Sequence, residues 1–178
     1  MILVPYANAG AWELQAVRRN LDVQGLAYDA VDVSGSNTAY PDAVRARWDT
    51  GEDLVIIEHD ILPWPGAIDE LLACPFDLCG LPYVEHSTFA TALGCTRIGQ
   101  RVQSSTEIPL TTTTQGPPFE HPVTWNTLDW DLFSVVQSAG FRLDVHAPPV
   151  VHLHEGFRWD RSAPPWQPFD TARRPVDA

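Results

Sequence analysis

Asp53-Leu54-Val55-Ile56-Ile57-Glu58-His59-Asp60 is the stretch on which the fold turns. Four apolar residues in a row, most of them β-branched, predict a strand buried on both faces. The run closes in Glu-His-Asp. If the strand persists, Glu58 and Asp60 share a face, because side chains two apart point the same way. Two carboxylates at the C-terminal end of a buried strand lie where open α/β sheets take ligands. Their charge needs compensation, which a divalent cation supplies. The plainer reading is a strand that ends at a polar turn.

Toward the N-terminus, Ile2-Leu3-Val4 reads as a first buried strand and Pro5-Tyr6-Ala7-Asn8-Ala9-Gly10 as a turn. Trp12, Ala16, Val17 and Leu21 hold a helical period, Gly25 is its stop, and Leu26 to Val33 read as a second strand. Strand, helix, strand at this length feeds a parallel sheet. Asp32, late in the second strand, is a candidate grip on a base or ribose; it is equally a turn aspartate. Pro41 to Trp48 predict a short helix before the central strand.

On the other side, Ile61-Leu62-Pro63-Trp64-Pro65-Gly66 is expected to be a rigid loop at the mouth of the site. A helix over Ala67 to Ala73 and a strand over Phe76 to Leu81 follow. Phe89 to Thr96 read as a strand with small residues around Gly94, where something comes close to the backbone. Arg97 to Ser105 are expected to be helical. Leu110 to Thr124 form a loop too long for a simple connection. Thr127 can cap a helix through Ser138, ended by Gly140. Phe141 to His146 and Val150 to His154 read as strands. The expectation is an α/β fold: one domain, a mostly parallel sheet flanked by helices. Residues 157–178 lose periodicity and read as a Pro-, Trp- and Arg-rich tail or lid.

At 178 residues the chain suits a single core. It has no apolar run of about 18 residues, so no membrane span is expected. The first residues lack the pattern of a signal peptide, which gives a cytoplasmic expectation. A net charge of −12 argues against a nucleic-acid surface. Cys74, Cys79 and Cys95 are sparse, match no zinc spacing on this reading, and are taken as small buried hydrophobes.

Two further clusters carry chemistry. In His152-Leu153-His154-Glu155, alternation along a strand puts both imidazoles on one face. An aspartate and a histidine from two strand ends make a mixed oxygen–nitrogen site, which suits Mn²⁺, with Mg²⁺ and Zn²⁺ as competitors. A core histidine pair is the alternative. In Leu128-Asp129-Trp130-Asp131-Leu132, Asp129 falls in a first helical turn. It can take a proton from an attacking hydroxyl, or it merely complements the helix dipole.

Taken in order, these segments resemble the nucleotide-sugar glycosyltransferases of the GT-A fold, in particular the small family 2-like bacterial and phage members, over roughly residues 2–156. Glu58-His59-Asp60 looks like their D-x-D motif, with Glu in place of the first Asp. Leu128-Asp129-Trp130-Asp131-Leu132, followed by Ser138-Ala139-Gly140-Phe141, looks like the segment bearing the catalytic base, with Leu128 where a glutamate is usual. His152 or His154 looks like the metal-ligating histidine. The resemblance implies a nucleoside-diphosphate sugar donor, a hydroxyl acceptor and a divalent metal, Mn²⁺ before Mg²⁺, held by Asp60 with His152 or His154. It implies Asp129 as base, and Pro5, Tyr6, Asp32, Glu58, Asp60 and Arg158 around the nucleotide, with Arg161 beside Arg158 as a lid. Trp64, Gly94 and Trp130 would border the acceptor. Two other functions stay open: a metal-dependent phosphoester or sugar hydrolase, and a binding module without turnover.

Overall fold

The computed structural model describes residues 1–48, 50, 52–85, 88–90, 93–105, 128–147 and 150–153. The long loop expected over 110–124, together with Trp125, His154, Arg158, Arg161 and the tail, falls outside them.

The order of elements is β1 (Ile2–Tyr6), α1 (Trp12–Val23), β2 (Asp29–Asp32), α2 (Ala39–Trp48), β3 (Leu54–Ile57), β4 (Ile61–Leu62), α3 (Ala67–Ala73), β5 (Leu78–Gly80), β6 (Tyr83–Glu85), β7 (Thr88–Ala90), β8 (Cys95–Ile98), α4 (Gln100–Gln103), α5 (Leu128–Ser138), β9 (Leu143–Val145) and β10 (Val151–His152). Six strands form one sheet in the order β2-β1-β3-β8-β5-β9. β1 pairs in parallel with β2 and β3, and β5 with β9; β8 runs antiparallel between β3 and β5. This is the α/β, mostly parallel sheet with flanking helices that the sequence led us to expect.

β1 and β3 are apolar and buried because both faces are covered. Ile2, Val4, Val55 and Ile57 face a core shared with Leu14, Val17 and Leu21 of α1 and Ile68 and Leu71 of α3. The intervening Leu3, Leu54 and Ile56 face the opposite core, with Tyr40, Val44 and Trp48 of α2, Val102 of α4, and Leu128, Leu132 and Val136 of α5. The period of two along β1 and β3 thus distributes one continuous apolar run between two layers. Burial of this kind contributes about 25 cal/mol per Å² of apolar surface.

The structure corrects several expectations. Ile61 and Leu62 are not loop: they form β4, antiparallel to β10, with Val151 opposite Leu62 and His152 opposite Ile61. Arg97 and Ile98 belong to β8 rather than to a helix, since β3 and β5 offer hydrogen-bonding edges on both sides; the helix is reduced to α4. The strand expected over 89–96 is divided between β7 and β8. Cys74 and Cys79 are joined in a disulfide instead of being free hydrophobes, and Cys95 alone is a buried thiol.

Candidate functional site

β1, β2 and β3 run in parallel, so their C-terminal ends open on one edge of the sheet. Tyr6 ends β1 opposite Asp32, which ends β2. Val33 N–H donates to Tyr6 O at 2.8 Å and ties the two ends together. Asp32 Oδ1 accepts from the Ser34 hydroxyl at 2.6 Å and from Ser34 N–H at 2.9 Å. Those two bonds hold its carboxyl below the usual range. Pro5 is buried within β1, and the Arg18 guanidinium lies over the Tyr6 ring, 5.4 Å from its centroid.

β3 stops at Ile57, so Glu58 and Asp60 do not share a strand face. The chain turns there: Glu58 N–H donates to Gly94 O at 2.9 Å, and Ile61 N–H donates to Glu58 O at 3.0 Å. The turn sends the two carboxylates to different partners. Glu58 Oε1 accepts from the Tyr40 hydroxyl at 3.0 Å. Although the residue keeps some exposed surface, its carboxyl is desolvated, and that cause, followed by the charges of Asp129 and Asp60, pushes its pKa up to about 8. The Tyr40 hydroxyl and His152 act against the rise. Tyr40 is fully buried and is itself pushed well above the ordinary phenol range, by burial first and then by Glu58 and Asp129.

Asp60 meets His152, with Oδ2 and Nε2 3.1 Å apart. The pair is 92 residues apart in sequence and is brought together by the β4–β10 ladder. Leu153 N–H donates to Asp60 O at 2.6 Å and fastens the far end of that ladder to the turn. The Tyr83 ring packs edge-on against His152, with centroids 5.0 Å apart. Asp129 stands in the first turn of α5, next to the fully buried Leu128, and is near enough to Glu58 and Tyr40 to raise both.

Asp60 and His152 are at hydrogen-bond distance and could serve as two of the ligands of a divalent cation. Two donors on an ion with bonds of about 2.1 Å sit about 3 Å apart, and Asp60 and His152 have that separation. They are a pair: among the described residues no third His, Cys, Asp or Glu closes a compact group with them.

Other residues singled out from the sequence are positioned as follows. Trp64 is half-buried and packs against the α1/α3 core. Gly94 is buried; a Cβ there would lie 2.7 Å from the Tyr83 ring and 3.2 Å from Ile61 Cγ1. The close approach expected at Gly94 is therefore made by Tyr83. Trp130 lies in α5, its side chain outside the described set. Sequence reasoning missed Tyr40 and Tyr83. Both sit at apolar positions of ordinary elements, and only their three-dimensional neighbours give them a part in the site.

No family model and no curated protein matches the chain. Solved structures that share its fold include two of note. One is the protein A197 from STIV, with 11% identity and a TM-score of 0.54, covering 84% of this chain and 79% of that one. The other is a glycosyltransferase involved in the glycosylation of the major capsid of PBCV-1, with 11% identity and a TM-score of 0.51, covering 85% of this chain and 91% of that one. At that identity the likeness is one of fold.

Proposed function

We infer that the chain is a metal-dependent glycosyltransferase that moves a sugar from a nucleoside-diphosphate sugar to an acceptor hydroxyl, with inversion. The observation that carries this reading is the approach of Asp60 to His152, beside a Glu58 carboxyl perturbed first by its burial and then by the charges of Asp129 and Asp60. Groups from the middle and the end of the chain converge at the ligand-binding edge of an α/β sheet. The fold shared with a glycosyltransferase supports the same reading.

In this reading Asp60, His152 and His154 hold the metal, Mn²⁺ in preference to Mg²⁺ for a mixed oxygen–nitrogen set. The metal's contribution is Lewis-acid neutralisation of the charge that gathers on the departing diphosphate. Asp129 accepts the proton of the acceptor hydroxyl as that oxygen attacks the anomeric carbon, and a single displacement inverts the centre. Pro5, Tyr6 and Asp32 border the base and ribose; Arg158 closes over the diphosphate. Trp64 and Trp130 offer rings to an apolar sugar face, and Gly94 supplies backbone at the same wall. The proposed setting is cytoplasmic, and no helix among the described residues is long and apolar enough to cross a membrane.

Calorimetry with UDP and GDP, with and without Mn²⁺, tests the site directly. Metal-dependent binding is expected, and Asp60→Ala should remove it. Binding that survives this substitution with the same metal dependence would overturn the assignment. Asp129→Asn should leave binding intact and lower transfer by about 10²–10⁴-fold, the usual share of general base catalysis.

A further inference from the structure

A second cluster lies outside the site just described, where α3, β5 and β9 meet. Cys74 caps the C-terminal end of α3, and Cys79 is the middle residue of β5. His146 follows β9, and its N–H donates to Gly80 O at 2.9 Å. The two cysteines are disulfide-bonded with Cα atoms 6.7 Å apart. A ring nitrogen of His146 and both sulfurs lie within 4.8 Å of one another.

The imidazole is prepared as a ligand. Its Nδ1 lies 2.9 Å from Glu70 Oε1. Its Nε2 is buried without a hydrogen-bond partner among the described residues, and Asp144 Oδ2 is 3.7 Å away. A carboxylate on one ring nitrogen keeps the proton there and leaves a lone pair on the other, which is how histidine ligands of zinc are commonly oriented. Arg97 stands at the sulfurs: its Nη1 donates to Cys74 O at 3.2 Å and Phe76 O at 2.9 Å, and lies 3.9 Å from Cys79 Sγ. A guanidinium there favours a thiolate over a thiol. Asp53, at 2.7 Å from Arg97 Nε, offsets the cation's charge. Against the expectation from the sequence that these cysteines match no zinc spacing, Cys74-Pro75-Phe76-Asp77-Leu78-Cys79 has four residues between the sulfurs, the upper end of the range of zinc-binding cysteine pairs.

The geometry points to a redox-gated zinc site formed by Cys74, Cys79 and His146, closed to metal as the disulfide and open as the dithiol. A dithiol reductant of the cell gives up its two S–H groups, becomes a disulfide, and leaves Cys74 and Cys79 as two thiols. Binding Zn²⁺ then releases two protons as two Zn–S bonds form, and His146 Nε2 supplies the third bond. Asp144 or a water completes a tetrahedron. The sulfurs must part to about 3.8 Å for Zn–S bonds of about 2.3 Å. The Cα separation of 6.7 Å is already near the wide limit for a disulfide. Side-chain rotation, with little backbone movement, provides the room. In a reducing compartment the metal-binding form is the one expected to prevail.

Cobalt titration of the whole chain tests this, because thiolate-to-cobalt charge-transfer absorption is not given by an oxygen–nitrogen centre such as Asp60 and His152. After anaerobic reduction, one equivalent of Co²⁺ should raise that absorption and Zn²⁺ should abolish it. The oxidised chain should show none. Cys79→Ser should remove the band, with Cys74→Ser carrying the same test should the first variant fail to fold. His146→Gln should weaken Co²⁺ tenfold or more while the far-UV circular dichroism stays native. A folded, reduced chain without the band overturns the site; a His146→Gln chain of unchanged affinity overturns the role of the imidazole.

Discussion

At the scale of single residues, the site depends on a turn that separates two carboxylates. Sequence alternation put Glu58 and Asp60 on one face. The chain leaves β3 one residue earlier, and Glu58 is drawn instead beneath Tyr40. Its pKa has a consequence for stability. Unfolded, the carboxyl titrates near 4.5; folded, near 8. Between those values the folded state holds a proton that the unfolded state has lost, so its contribution is fully present below about pH 4.5 and disappears as the pH rises toward 8. Denaturation of chelator-treated protein across that window should show the decline, and Glu58→Gln should flatten it; an equal slope in the variant would place the titrating group elsewhere. Gly94→Ala presses a methyl against Tyr83, whose ring must shift. A loss of about 1–3 kcal/mol in urea unfolding is expected for such overpacking.

At the scale of elements, most helices and parallel strands were legible because their period is written in the residues that face the core. α3 came out with its expected bounds, and α1 and α5 nearly so, since Leu14, Val17 and Leu21, and Leu128, Leu132 and Val136, each mark one buried stripe. β4 and β10 were less so: two residues each carry no period, and β4 is made a strand by pairing Leu62 with Val151 and Ile61 with His152, far along the chain. The Asp60–His152 pair could be named from the sequence as an expectation, but the ladder that joins it could not. The Cys74–Cys79 bond was missed for a different reason: its residues are only five apart, but three sparse cysteines read as small buried hydrophobes. The placing of Asp129 beside Glu58 relies on α5 being seated by its apolar stripe. Leu132→Ala should cost about 2–5 kcal/mol, read as a lower urea midpoint, and should lower transfer through the position of Asp129. Full transfer in a destabilised Leu132→Ala chain would show that the seat of α5 does not set the base.

At the scale of the whole molecule, two apolar layers sandwich the six-stranded sheet, and the start of β8 reports on one of them. Cys95 is completely buried there, and burial pushes its thiol up to about 12. It should therefore resist a thiol reagent at pH 8 in the native chain and react once the sheet opens; labelling under increasing urea should follow the unfolding curve. Rapid labelling in the absence of denaturant would mean that β8 opens locally. β8 is also the one strand that runs against the other five, and it fills the gap between β3 and β5. During synthesis on the ribosome, β3 can lean on β1 as soon as it emerges, but its other flank has no neighbour until the chain has been made through residue 98. A nascent Leu54–Ile57 segment is for that interval a raw hydrophobic edge, the kind that recruits a second copy or a chaperone before it recruits its own partner.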